Sequence, residues 1–185
     1  MSQFVQTLEN RQFLSVSMAS DAMPVSSATD GVVMSAGVKA ASSVTLTGKT
    51  YSGTIANDGI NFTYTLTVTT VDSKGKITAG TLTVANTALG ISKALSIGTS
   101  ANSAASGTLT TKGVFAIKVN KGQTATAGTG NGITLDVSGT FSGKANLAAT
   151  TPDANVSVVS TISFASAKSA LKLSAAGKAT LPKTA

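Results

Sequence analysis

The chain has no cysteine, no histidine and no tryptophan. Without cysteine there is no disulfide framework and no thiolate metal site. Without histidine there is no Ser-His-Asp triad and no imidazole ligand. Charge is also scarce, at 11% of residues against the usual quarter. The carboxylates are Glu9, Asp21, Asp30, Asp58, Asp72, Asp136 and Asp153. Glu9, Asp21 and Asp30 fall in the N-terminal stretch. Asp58, Asp72 and Asp153 fall in predicted turns, where Asx side chains bond the local backbone. Asp136 alone sits mid-strand, on the polar face. A glycosidase needs two carboxylates flanking one bond, and no second partner stands out. No run of about 18 apolar residues is present, so no transmembrane helix is expected. We therefore expect a protein that is not an enzyme, with no cofactor, no metal site and no catalytic residue.

Apolar residues make up 42% of the chain, an ordinary share that does not match a charged disordered chain. Alanine, threonine, serine and glycine dominate, and the aromatics are six phenylalanines and two tyrosines. This is the composition of a β protein with small side chains and a thin core. Few charges with many hydroxyls are common in exported bacterial surface proteins. The net charge of +7 is almost all lysine, scattered along the chain. Scattered lysines serve solubility and protect sheet edges. They also fit adhesion to an anionic polymer. Polysaccharide is the favoured polymer and specific nucleic-acid recognition is not expected. Arg11 is the only arginine, and no basic run is interleaved with aromatics for base stacking. Another surface protein is the second partner class, and the oligomeric state is left open.

The segment Tyr51–Val84 carries the clearest pattern. Ile60, Phe62, Tyr64, Leu66 and Val68 alternate with polar residues, the period of a half-buried strand. Asp58-Gly59 suits a two-residue type I′ turn. It predicts the pairs Asn57–Ile60, Ile55–Phe62, Gly53–Tyr64 and Tyr51–Leu66. Residues 72–76 suit a three-residue loop with Gly75 left-handed, as a G1 bulge requires. That loop predicts Val68–Gly80, Leu66–Leu82 and Tyr64–Val84. A slip of one residue would turn the apolar face to water.

Other segments extend this pattern. Val44 and Leu46 alternate before a break of phase at Gly48. Leu89, Ile91, Leu95 and Ile97 fit one strand face, although Ala88–Leu95 also reads as a short helix. Thr111-Lys112-Gly113 predicts a turn that pairs Leu109 with Phe115. Asn120–Gly132 reads as a loop. Residues 133–147 then alternate without interruption, about 50 Å of strand with bends expected at Gly139 and Gly143. Val156, Val158, Ile162 and Phe164 mark a further strand, and Leu171–Leu181 the last. The expected fold is all-β: an antiparallel meander of nine or ten strands over residues 43–182. A closed or nearly closed barrel is favoured by the recurrent inner glycines. A β-sandwich and a β-solenoid are the alternatives, the latter because YSGT, SGTL and SGTF recur.

Residues 1–42 differ in composition, holding all the methionines, the only glutamate and the only arginine. They read as a poorly ordered targeting-like and linker segment. Leu8, Glu9, Arg11, Leu14 and Ser15 match the short N-terminal LEPR-xLL segment of planctomycete-type exported and surface proteins, which residues 8–15 resemble. Asn10 stands at the proline of that pattern and Phe13 at a leucine. The resemblance implies export or the cell surface, and nothing about fold or activity.

Two motif matches are weak. Ser169-Ala170-Leu171-Lys172 matches S-x-x-K, which works on a helix, whereas this segment alternates as a strand. Gly128–Gly132 lacks the Lys-Ser/Thr and helix of a phosphate loop. One binding hypothesis remains. Tyr51, Phe62, Tyr64, Leu66, Phe115 and Phe141 are either core or the wall of a cavity for a small apolar ligand, as in up-and-down barrels. The leading expectation is an exported, non-enzymatic surface protein with a structural or adhesive role. The ligand-binding barrel is the alternative.

Overall fold

A computed structural model of the chain describes residues 43–128 and 132–184. The N-terminal targeting-like segment, including residues 8–15, lies outside the described residues. Eleven strands and no helix are found among those described: β1 (Lys49–Asn57), β2 (Ile60–Val71), β3 (Ile77–Asn86), β4 (Ile91–Gly98), β5 (Ala105–Leu109), β6 (Val114–Val119), β7 (Gln123–Ala127), β8 (Ile133–Ser138), β9 (Thr140–Ala145), β10 (Asn155–Ala165) and β11 (Lys172–Pro182).

Turn chemistry sets the first hairpins. Asp58 (φ 49°) and Gly59 (φ 77°) both take positive φ, as a type I′ turn needs. The pairs Tyr51↔Leu66, Gly53↔Tyr64 and Ile55↔Phe62 follow. Gly75 is left-handed at φ 78°, and Val68↔Gly80, Leu66↔Leu82 and Tyr64↔Val84 follow. Leu109 pairs with Phe115 across the Gly113 turn. Ile91, Leu95 and Ile97 are buried on β4, so the short-helix reading of that segment gives way to a strand.

The sheet order is β1-β2-β3-β4-β5-β6-β9-β10-β8-β7, with β11 on β10. This is simpler than it looks. Ser138↔Ser163 and Phe141↔Ser160 keep one register with β10 across Gly139. β8 and β9 are therefore one long strand with a corner at Gly139. On its other edge the β8 half pairs with β7 and the β9 half with β6. The expected bend is present at Gly139. The loop expected over Asn120–Gly132 is corrected: Gln123–Ala127 pairs with β8 as a strand. The meander is interrupted once, where β4 and β5 meet in parallel at Ile97↔Ala105.

The apolar face of this sheet is folded inward. Phe62 on β2 stacks on Phe164 of β10, with centroids 5.7 Å apart. Tyr64 on β2 stacks on Phe141 of β9 at 5.1 Å. Strands far apart in the sheet thus meet across one core, which takes in residues from Val44 to Leu181. The hydrogen-bonded sheet does not close into a continuous ladder. β1 and β11 pack side by side, with Gly53 against Leu181 and Gly177 against Ile55. Their backbones are joined only just past β11, by the isolated bridge Tyr51↔Lys183 and a bond from Thr184 N to Thr50 O of 2.8 Å. Closure into a barrel is thus not complete, and an open sheet folded on itself also fits the sandwich alternative. Consecutive antiparallel hairpins differ from the parallel rungs of a solenoid.

Candidate functional site

The six residues expected to wall a cavity are all buried. Tyr64, Phe115 and Phe141 come together: Phe141 lies 5.1 Å from Tyr64 and 5.9 Å from Phe115. Phe62 pairs with Phe164 instead, while Tyr51 and Leu66 face each other across β1 and β2. Rings at these separations are in direct contact.

The two tyrosines also carry polar anchors. The Tyr64 hydroxyl donates to the Ala175 carbonyl and lies 2.8 Å from Ser160 Oγ. Burial pushes its phenol from 10.0 up to about 12, against the pull of the Ser160 hydrogen bond. The Tyr51 hydroxyl donates to the Asp153 carbonyl at 2.9 Å. Burial, with the Asp153 charge behind it, also pushes this phenol from 10.0 up to about 12. The Asp153 carboxylate takes a hydrogen bond from Lys49, and that bond holds its carboxyl below the ordinary 3.8. Lys183 Nζ stands 3.8 Å away. This cluster clasps the β1–β11 seam, a long-range role for an aspartate expected only to make a turn.

Raised phenol values predict an alkaline limit. The stabilisation from a neutral buried phenol is complete below pH 10 and is lost as pH rises through about 12. For Tyr64 the loss is on the order of 2 kcal/mol. Urea unfolding at a series of alkaline pH values measures it. The expected wild-type curve falls steeply above pH 10, while Tyr64→Phe starts less stable and falls less. Phenols that titrate at their ordinary value in the folded protein would contradict this.

The outward face of β5, β6, β9, β10 and β11 is chemically distinct from the core. Side chains alternate across each strand, so the register lays them out in rows. One row runs Thr108–Ala116–Ser142–Val159–Lys178. On one side lies Ser106–Lys118–Thr140, and Thr140 Oγ1 bonds Thr161 Oγ1 at 3.0 Å. On the other side lies Val114–Lys144–Ser157–Thr180. Lys118, Lys144 and Lys178 line this face.

Two depressions mark this face. One, of about 700 Å³, is bordered by Lys76, Ser106, Thr108, Lys118 and Thr140. The other, of about 670 Å³, is bordered by Val114, Lys144, Val159 and Lys178. They share Ala116 and Ser142, so the two adjoin and together form a shallow furrow across β5, β6, β9, β10 and β11. Among the described residues no carboxylate borders either. The lysines look scattered in the sequence, and strand pairing alone gathers them here. The S-x-x-K residues are not on a helix: Ser169 is in a loop and Lys172 opens β11.

The described residues define an all-β protein with a mostly antiparallel sheet and a basic outward furrow. No family model matches the chain, and no curated protein or solved structure matches it.

Proposed function

We propose that this chain is an exported, non-enzymatic β protein that adheres to anionic polymer at the cell surface. The observation that carries the reading is the outward face with Lys118, Lys144 and Lys178 and, among the described residues, no bordering carboxylate. Such a face attracts polyanions and lacks the carboxylate pairs or imidazoles of hydrolytic chemistry. The resemblance of residues 8–15 to an exported-protein segment supports the location. The described carboxylates are dispersed: Asp58 and Asp72 in hairpin turns, Asp136 on β8, and Asp153 in the seam clasp. A small apolar ligand inside the sheet would have to displace the Tyr64–Phe141 and Phe62–Phe164 contacts.

Chromatography of the full chain on immobilised anionic and neutral polysaccharide tests the adhesive role. We expect retention on the anionic matrix alone. Elution follows rising salt, because the screening length shrinks from about 10 Å at 0.1 M to about 3 Å at 1 M. Fractionation of the source cells tests export. Passage through both matrices, or recovery only from the cytoplasm, removes the corresponding half of the reading.

A further inference from the structure

The furrow has two chemically different halves. Its first half is hydroxyl-lined, with Ser106, Thr108 and Thr140 beside Lys76 and Lys118. Its second half sets Val114 and Val159 beside Lys144 and Lys178. These valines are 47% and 41% exposed, on a face where strand alternation puts polar residues outward. From this arrangement we infer that the furrow seats an acidic polysaccharide chain of carboxylated sugars, laid across the strands from β5 to β11. The inference rests on the adhesive reading above and narrows it to one place and one ligand class.

Three features select this ligand. First, arginine is the residue of choice for phosphate and nucleic-acid recognition, whereas lysine attracts any anion as a compact point charge. No arginine lies among the described residues. Second, the described residues offer this face no aromatic ring for base stacking. Tyr51, Phe62, Tyr64, Phe115, Phe141 and Phe164 are the aromatics of the described residues, and all are buried. Single-stranded nucleic acid without an aromatic platform loses its main sequence-tolerant contact. Third, a sugar ring offers both C–H faces and hydroxyls. The valines accept the former and the Ser/Thr rows the latter. The span matches an oligosaccharide rather than a lone ion: β5 to β11 covers four strand spacings, about 19 Å. Lys118 and Lys178 stand three spacings apart across the strands, about 14 Å, and one row apart along them.

The test uses the full chain and polygalacturonate as probe, with dextran, polyphosphate and single-stranded DNA alongside. One variant carries Lys118→Glu, Lys144→Glu and Lys178→Glu. A control carries Lys93→Glu, Lys168→Glu and Lys172→Glu, an identical change in net charge away from the furrow. Reversing the three furrow charges at once weakens polygalacturonate binding about tenfold or more, while the control changes it less than about threefold. Val114→Ser with Val159→Ser weakens polygalacturonate binding and leaves polyphosphate binding unchanged. Equal losses in the two lysine variants would overturn the furrow but leave the adhesive reading standing. Tighter binding of DNA or polyphosphate than of polygalacturonate, or a valine pair without effect, would overturn the sugar assignment. Failure of the wild-type chain to bind any polyanion would overturn the adhesive reading itself. Urea unfolding of each variant verifies that the fold is retained.

Discussion

Phe141→Ala lowers the free energy of unfolding by about 3–5 kcal/mol, the range for deleting a buried aromatic ring. The reason for expecting the upper part of that range is local. Phe141 is fully buried and touches two other rings, Tyr64 at 5.1 Å and Phe115 at 5.9 Å. Those rings come from β2 and β6, so one deletion leaves a void where opposite parts of the folded sheet meet. Relaxation into the void is restricted. Tyr64 is tethered through its hydroxyl to Ser160 and Ala175, and Ile117 and Ser160 hold the backbone of Phe141 in register on both sides. A domain stability of about 5–15 kcal/mol loses a large fraction. Phe141→Leu keeps most of the volume and falls between wild type and alanine. Chemical unfolding checks the order. A loss below about 1 kcal/mol for the alanine variant would mean that the core refills easily, and that the ring contacts do not hold the sheet together. Uptake of a small apolar dye by the alanine variant but not by the wild type would place a ligand-sized void where the ring was.

The hairpins were legible because their information is local. Asp58-Gly59 and Gly75 each demand a backbone conformation that fixes turn length, and turn length fixes register over the flanking strands. Long alternation with glycine at its centre likewise announced the corner at residue 139. β7 was missed because Gln123-Thr124-Ala125-Thr126-Ala127 offers a single buried side chain, Ala125. A strand of small residues carries almost no periodic signal. The parallel contact of β4 with β5 was hidden too, since it depends on the path taken by the intervening loop. The furrow and the seam clasp are properties of long-range pairing. Lys118, Lys144 and Lys178 are adjacent in no stretch of sequence, and Lys49 meets Asp153 only because β1 returns beside the entry to β10.

Gly139→Ala is expected to cost about 2–5 kcal/mol, from left-handed backbone strain together with overpacking. Gly139 has φ +122°. A Cβ there would lie 2.5 Å from Thr161 O and 2.8 Å from Ile162 Cα. Both are backbone atoms of β10, so no side-chain rotation relieves the clash. Gly59→Ala separates the two contributions. Gly59 also has positive φ, at +77°, but nothing lies within 4 Å of its would-be Cβ. Its substitution carries strain alone and costs about 1 kcal/mol. The excess at Gly139 therefore reports the close approach of β10. That approach matters for the outward face, because Thr140 follows the corner directly and pairs with Lys118. A chain that cannot turn there must part the β8–β9 strand from β10 or shift its register, and either change disperses the lysine rows. Comparable losses for the two alanine variants in urea unfolding would show that the corner tolerates a side chain. Polygalacturonate binding unchanged in Gly139→Ala would show that the furrow does not depend on it.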